Sequence, residues 1–274
     1  MQQTAANSST VAKRPRLVIR MGNKTMSFSV ADAAAEKQIH YEPFTVRSGI
    51  SMAANLREAF HSAELLNKGY DRVLVMIDAP VLLMPIEEFD KDTVEVLYHH
   101  AITGHDGEVV LHYVLPSLNA VVVFSVNKDL KLVVDDHFAD AKWMVVSTPV
   151  WNHLHQRSFT GNRRKMYAYF HDKRMDIVAF DKNRFKFCNS YEVDKYMDAV
   201  YFLLYVWKQL ALDSQKDELH LAGTLLDKDS LTAELRKYVQ NVYVINPTAD
   251  FNRAPITQLK GLPYDVMTYF VKGR

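Results

Sequence analysis

Cysteine is all but missing from this sequence. Cys188 is its single thiol, which excludes an intrachain disulfide framework and points to a reducing compartment. With Phe187 before it and strand-like residues around it, Cys188 reads as a small buried hydrophobe rather than a nucleophile. Glycine and proline are sparse too, nine of each in 274 residues, so low-complexity and disordered classes are excluded for the body of the chain. No stretch approaches the ~20 apolar residues of a membrane span; the longest apolar run is Ala199–Trp207. Charge of one sign is also lacking. The chain carries 33 basic and 32 acidic residues, a formal charge of +1, and no global field draws it to nucleic acid or to an anionic membrane. The opening residues MQQTAANSSTVAKRPR have no apolar core, so residues 1–15 read as a disordered tail rather than a signal peptide. The expected location is cytoplasmic.

What is present is a chain that buries a real core, with 48% hydrophobic and 24% charged residues. Leu17, Ile19 and Met21 alternate with Val18 and Arg20 as in a strand. Gly22-Asn23-Lys24 supplies a tight turn, and Met26, Phe28 and Val30 return as a second strand. Ile39–Val46 is a third, and Pro43 marks it as an edge or a bulge. Ser51 caps a helix that carries Leu56 and Phe60 on one face and ends near Gly69. Val73–Ile77 is a continuous apolar run of strand length, expected to be central and buried on both faces.

The same order returns beyond Gly161. The segment Lys165–Asn189, KMYAYFHDKRMDIVAFDKNRFKFCN, reads as a hairpin and a third strand. A long helix follows, expected to be capped by Asp194 and apolar nearly all round, with Leu204 fully buried. Glu218–Ala222 and Val242–Ile245 are short strands, with a helix between them that starts at Asp227 or Asp229. First strand to fourth spans about 56 residues in one copy (Leu17 to Val73) and about 53 in the other (Met166 to Leu219). Residues 80–126 interrupt the first copy: a short helix through Val94, Leu97 and Ala101, then paired strands Glu108–Leu115 and Ala120–Val126. A helix Asp129–Phe138, a buried strand Trp143–Ser147 and a helix opened by Pro149 complete that half.

Hairpin, third strand, helix, strand, helix, strand is the order of a ribonuclease H-like unit. Two such units in tandem resemble the actin-like ATPases and sugar kinases. The chain is also similar to a small bacterial family of unknown function to which that fold has been attributed. The resemblance implies an α/β chain of two βββαβαβ subdomains, 16–160 with the insertion and 161–274. It also implies phosphate-gripping hairpin turns and an ATP–magnesium cleft between the halves, fed by Gly22, Asn23, Lys24, Thr25, Asp172, Lys173, Gly223 and Thr224. In active members the first strand ends in an Asp that manages the magnesium shell. Here Arg20 occupies that neighbourhood. The second hairpin, Tyr169-Phe170-His171-Asp172-Lys173-Arg174, lacks the glycines that let backbone approach phosphates. Leu221-Ala222-Gly223-Thr224 keeps one of the paired glycines of the adenosine motif. With all three motifs degraded, the expectation is a non-enzymatic interaction scaffold: a pseudo-ATPase with no catalytic residue, no resident cofactor and another protein as its partner. A divergent nucleotide- or phosphometabolite-dependent enzyme is the alternative.

Other constellations read as ordinary. The histidines at 99, 100, 105, 112, 153 and 155 lack a zinc-hydrolase spacing and are expected to be surface or capping residues, so no metal site is expected. Asp135-Asp136-His137 reads as a solvated corner. Lys13-Arg14-Pro15-Arg16 and the basic–aromatic patch at Arg163-Arg164-Lys165 with Tyr167 and Tyr169 read as solvated charge at segment boundaries. Tyr201, Phe202, Tyr205 and Trp207 are spaced as helix core.

Overall fold

The structure, a computed structural model, describes residues 15–31, 39–182 and 184–272. The expected tail, apart from Pro15, and Lys13-Arg14 lie outside the described residues.

The first half forms a mixed five-stranded sheet. β1 (Leu17–Met21) and β2 (Met26–Ala31) make the expected hairpin, and β3 (Ile39–Phe44), with Pro43, lies at the edge. α1 (Met52–Ser62) begins where the Ser51 hydroxyl accepts from the Ala54 amide, and a 3-10 turn (Leu65–Lys68) carries the chain to Gly69. β4 (Val73–Ile77) runs parallel to β1 on one side and to β8 (Ala141–Val145) on the other. The sheet order is therefore β3-β2-β1-β4-β8.

The inserted segment builds its own sheet. β5 (Val81–Pro85) pairs with β7 (Ala120–Val126), which also pairs with β6 (Val109–Leu115). The strand reading of the insertion missed β5, which has a short VLLMP run with no alternation. α2 (Val94–Ala101) packs over β7 through Val94 and Tyr98, while Leu97 faces outward. α3 (Lys128–His137) packs on α1, and α4 (Ser147–Ser158) holds Pro149 in its first turn, where a missing N–H costs nothing.

The second half repeats the topology. β9 (Lys165–His171), β10 (Arg174–Asp181) and β11 (Arg184–Glu192) are antiparallel neighbours; β12 (Glu218–Gly223) and β13 (Asn241–Val244) run parallel to β9. The order β11-β10-β9-β12-β13 matches the first sheet strand for strand. α5 (Tyr196–Gln209) and α6 (Lys228–Leu235) cover it.

α5 corrects three expectations. Its N-cap is Lys195, because Asp198 accepts from the Lys195 amide at 2.9 Å. It buries one face only, Ala199, Val200, Leu203, Val206 and Trp207. Leu203 is fully buried, whereas Leu204 is half-buried and Met197, Tyr201 and Tyr205 are exposed. The apolar residues fill two helical phases, and only one of them meets the sheet.

After β13 comes α7 (Pro247–Asp250), and the chain then crosses back. α8 (Tyr264–Lys272) packs on α4, and Val266, Tyr269 and Phe270 join the core of the first half. The two sheets thus share one molecule's interior near the β1–β2 and β9–β10 turns.

Candidate functional site

Those two turns meet. Arg20 sits on β1 among apolar neighbours and is buried. A buried guanidinium must be paired, and this one is paired three ways. Its Nε donates to both Asp265 oxygens on α8, at 2.9 and 3.0 Å. One terminal nitrogen donates to Thr25 Oγ1 at 3.0 Å, and the other reaches Asp172 Oδ2, in the second turn, at 2.6 Å. Thr25 Oγ1 in turn donates to Asp172 Oδ1 at 2.7 Å. Tyr169 closes the inner end by donating to Asp265 at 2.8 Å. Burial opposes the charge on Arg20, but Asp265, Tyr169 and Asp172 outweigh it and hold its pKa above the ordinary value. For Asp172 burial works against ionisation, and His171, Arg20 and Thr25 overcome it, so its pKa is lowered.

Gly22 belongs to this contact although it has no side chain. A Cβ there would stand 2.3 Å from Thr25 Oγ1 and 2.5 Å from either oxygen of Asp172. The second turn seats its carboxylate directly on the first turn, and only glycine leaves room for it.

A further charged cluster lies behind this latch of Arg20 and Thr25 on Asp172. His171 Nε2 faces Asp176 Oδ2 at 3.1 Å, and its Nδ1 lies 3.8 Å from Asp172. Burial pushes the imidazole toward neutrality, but Asp176 and Asp172 raise its pKa to about 10, so it is a cation at neutral pH. Burial also opposes the charge of Asp176, and His171, Ser147 and Ser190 lower its pKa to about 2. Asp78 follows β4 and pairs with Arg174 at 3.3 Å; desolvation raises its pKa. Asp78, His171 and Asp172 each bring one ligand-capable atom within 4.8 Å of the others. Two of the three also serve as ion-pair partners, Asp172 with Arg20 and Asp78 with Arg174.

Beside the latch is a cavity of about 430 Å³, walled by Thr25, Tyr41, Asp172, Gly223, Thr224 and Tyr264 among others. Four of the eight residues singled out from the sequence therefore line it. Gly22 lies beneath Asp172. Asn23 and Lys24 are exposed on the turn, outside the lining. Lys173 points to Asp194 at 2.9 Å on the surface. Gly223 has φ +86°, and a Cβ on it would collide with the Phe170 carbonyl. Its glycine is thus fixed by the close approach of β12 to β9, where Thr224 N–H donates to Phe170 O at 2.9 Å.

Sequence reading did not find Asp265, Asp78, Asp176 or the pairing of Arg20. The available signal was a charge interrupting an apolar strand, in LVIRM and in MDIVAF. Two histidines assigned to the surface are buried: His153 pairs with Asp250 at 2.6 Å, and His155 packs on Phe180. The basic patch is consumed internally, Lys165 by carbonyls of Arg157 and Thr160 and Arg164 by Asp217. Cys188 is half-buried on β11, and burial raises its thiol well above the ordinary range. No helix among the described residues is long and apolar enough to cross a membrane.

Comparison with known proteins follows the fold. The family model described as a protein of unknown function (DUF3822) matches residues 4–242. A Bacteroides thetaiotaomicron protein with actin-like ATPase fold and unknown function is similar at 31% identity, with a TM-score of 0.80, over 90% of this chain and 97% of that one. A chain of a PilM–PilN type IV pilus biogenesis complex is similar at 12% identity and a TM-score of 0.55, over 86% of this chain and 89% of that one. No curated protein matches the sequence.

Proposed function

For a chain that belongs to the DUF3822 family of proteins of unknown function, we propose a non-enzymatic interaction scaffold: a pseudo-ATPase that docks another protein. It consists of two ribonuclease H-like subdomains, 16–160 and 161–274, with the insertion at about 80–126. The repeated strand order supports that division.

What carries this reading is the position of Asp172. In a phosphate-binding hairpin, the turn amides, a hydroxyl and a nearby cation face the anion. Here Thr25 and Arg20 already hold an anion, and it is the chain's own carboxylate. A γ-phosphate entering this turn would have to expel Asp172 and break its pairs with Arg20 and Thr25, leaving a buried carboxylate without its partners while Arg20 keeps Asp265. No carboxylate stands on β1 to organise a magnesium shell, because the position holds the guanidinium. A fold of this kind also serves in the PilM–PilN complex, which is an analogy of fold alone.

Isothermal titration with magnesium–ATP tests the proposal. The expected result is no heat of binding and no hydrolysis. Micromolar affinity that is lost on charge reversal at Asp172 would overturn the scaffold reading.

A further inference from the structure

The insertion and the second half leave two strand edges open toward each other. Among the described residues β5 pairs only with β7, and β11 only with β10. Two adjoining cavities lie between them. The upper one, about 480 Å³, touches residues 78–83 and 185–190. The lower one, about 440 Å³, touches 83–85 and 184–186. The start of β5 therefore faces the end of β11 and the reverse, so the two strands run antiparallel along a shared groove.

Three features say what fits there. First, β11 is a nine-residue strand without proline, so no donor is missing from its free edge, although the Ser190 amide already donates to Asn189 Oδ1 at 2.9 Å; β5 ends in Pro85 and loses one. Second, the upper cavity offers apolar side chains, Leu82, Leu83, Phe185 and Phe187, and the two carboxylates that also line it, Asp78 and Asp176, are already paired with Arg174 and His171. Two N–H groups on residues lining it, Trp151 Nε1 and Arg174 Nε, are buried without an acceptor. Orphaned donors of this kind favour an occupant that brings carbonyl oxygens. Third, the lower cavity carries only positive charge. Arg184 and Lys186 are exposed, no carboxylate lines that cavity, and no ion pair to either is present among the described residues. Glu87 lies near its rim but is occupied by the Asn119 amide at 2.8 Å.

We propose that this groove receives an extended, acidic segment of a partner protein. The segment adds as a strand to the free edge of β11, sets apolar side chains in the upper cavity and places carboxylates on Arg184 and Lys186. The inference rests on the scaffold reading and names the partner's chemistry.

The probe is a labelled seven-residue peptide alternating glutamate with leucine or valine, titrated by fluorescence anisotropy with amide hydrogen exchange of the bound state. Controls replace glutamate by lysine, or the central residue by proline. The acidic peptide is expected to bind about tenfold or more tightly than either control. It should lose that advantage with Arg184→Glu/Lys186→Glu, two exposed positions whose change spares the fold, and it should protect the amides of β11. Absence of binding, equal binding of the proline peptide, or binding without protection of β11 overturns the groove. Citrate that stabilises the protein as much as the peptide does, without β11 protection, assigns the groove to small anions instead. Magnesium–ATP titrated in the same preparation keeps the two proposals apart. Nucleotide binding refutes the scaffold, whereas silence from both peptide and nucleotide refutes the groove alone.

Discussion

The carboxylate of Asp172 stands where a side chain on Gly22 would be, 2.5 Å from the position of its Cβ. Gly22→Ala is therefore expected to destabilise the protein by ~1–3 kcal/mol through overpacking. Part of that loss should vanish in an Asp172→Ala background, where the methyl group gains space on one side, and the part due to Thr25 Oγ1, 2.3 Å from the same position, should remain. Urea denaturation of both single variants and the double variant completes a double-mutant cycle; additive losses would mean that the two turns do not touch.

Arg20→Met removes the one guanidinium that, among the described residues, pairs with Asp265, which is fully buried. An uncompensated buried carboxylate makes this costly, ~3–5 kcal/mol. Arg20→Lys is expected to fall between the two, because one ammonium cannot replace a fork that serves Asp265, Thr25 and Asp172 together. Chemical denaturation midpoints check the order.

The charged cluster also sets a pH profile. His171 has a folded pKa raised to about 10, so the stability it adds is complete below its ordinary value of ~6.5. That stability is lost as pH rises through about 10. Asp176, lowered to about 2, adds stability above ~3.9 that disappears as pH falls through its folded value. Melting temperature should decline from pH 7 to 10, and His171→Gln should flatten that alkaline limb while lowering stability at pH 7. An unchanged slope in the variant would place the titration elsewhere.

On α5, Leu203→Ala is expected to cost ~2–5 kcal/mol by cavity formation, and Leu204→Ala clearly less. The difference follows from full burial of the first and partial burial of the second. Equal losses would mean that the helix is rotated about its axis.

The elements were legible in the sequence wherever one period dominated. The hairpins at Leu17–Val30 and in Lys165–Asn189 show plain alternation and turn residues, and both are present. α5 was legible as a helix but not in its orientation. Met197, Tyr201 and Tyr205 repeat as regularly as Val200, Leu203 and Trp207, and only the sheet decides which set is buried. β5 was hidden because its short apolar run lies between Pro80 and Pro85, which speak against a strand, whereas the equally short run Val73–Ile77 has no such neighbours.

The cleft was legible by position and not by content. Thr25, Asp172, Gly223 and Thr224 line one cavity. The pairing of Arg20 with Asp172 and Asp265 spans 152 and 245 residues of sequence, and no local pattern encodes a contact at such separation. What the sequence does display is the cost: a charge set inside an apolar strand demands a partner somewhere.

The α4–α8 contact has a consequence for the order of events at the ribosome. Asp265 is made 245 residues after Arg20, roughly 10–50 s later at ordinary elongation rates of about 5–20 residues per second. Through that interval the first sheet lacks Val266, Tyr269 and Phe270 from its core, and its strand cation lacks an inner counter-ion. The amino-terminal half cannot reach its final packing as it emerges. That part of its apolar surface stays uncovered until α8 arrives to finish it.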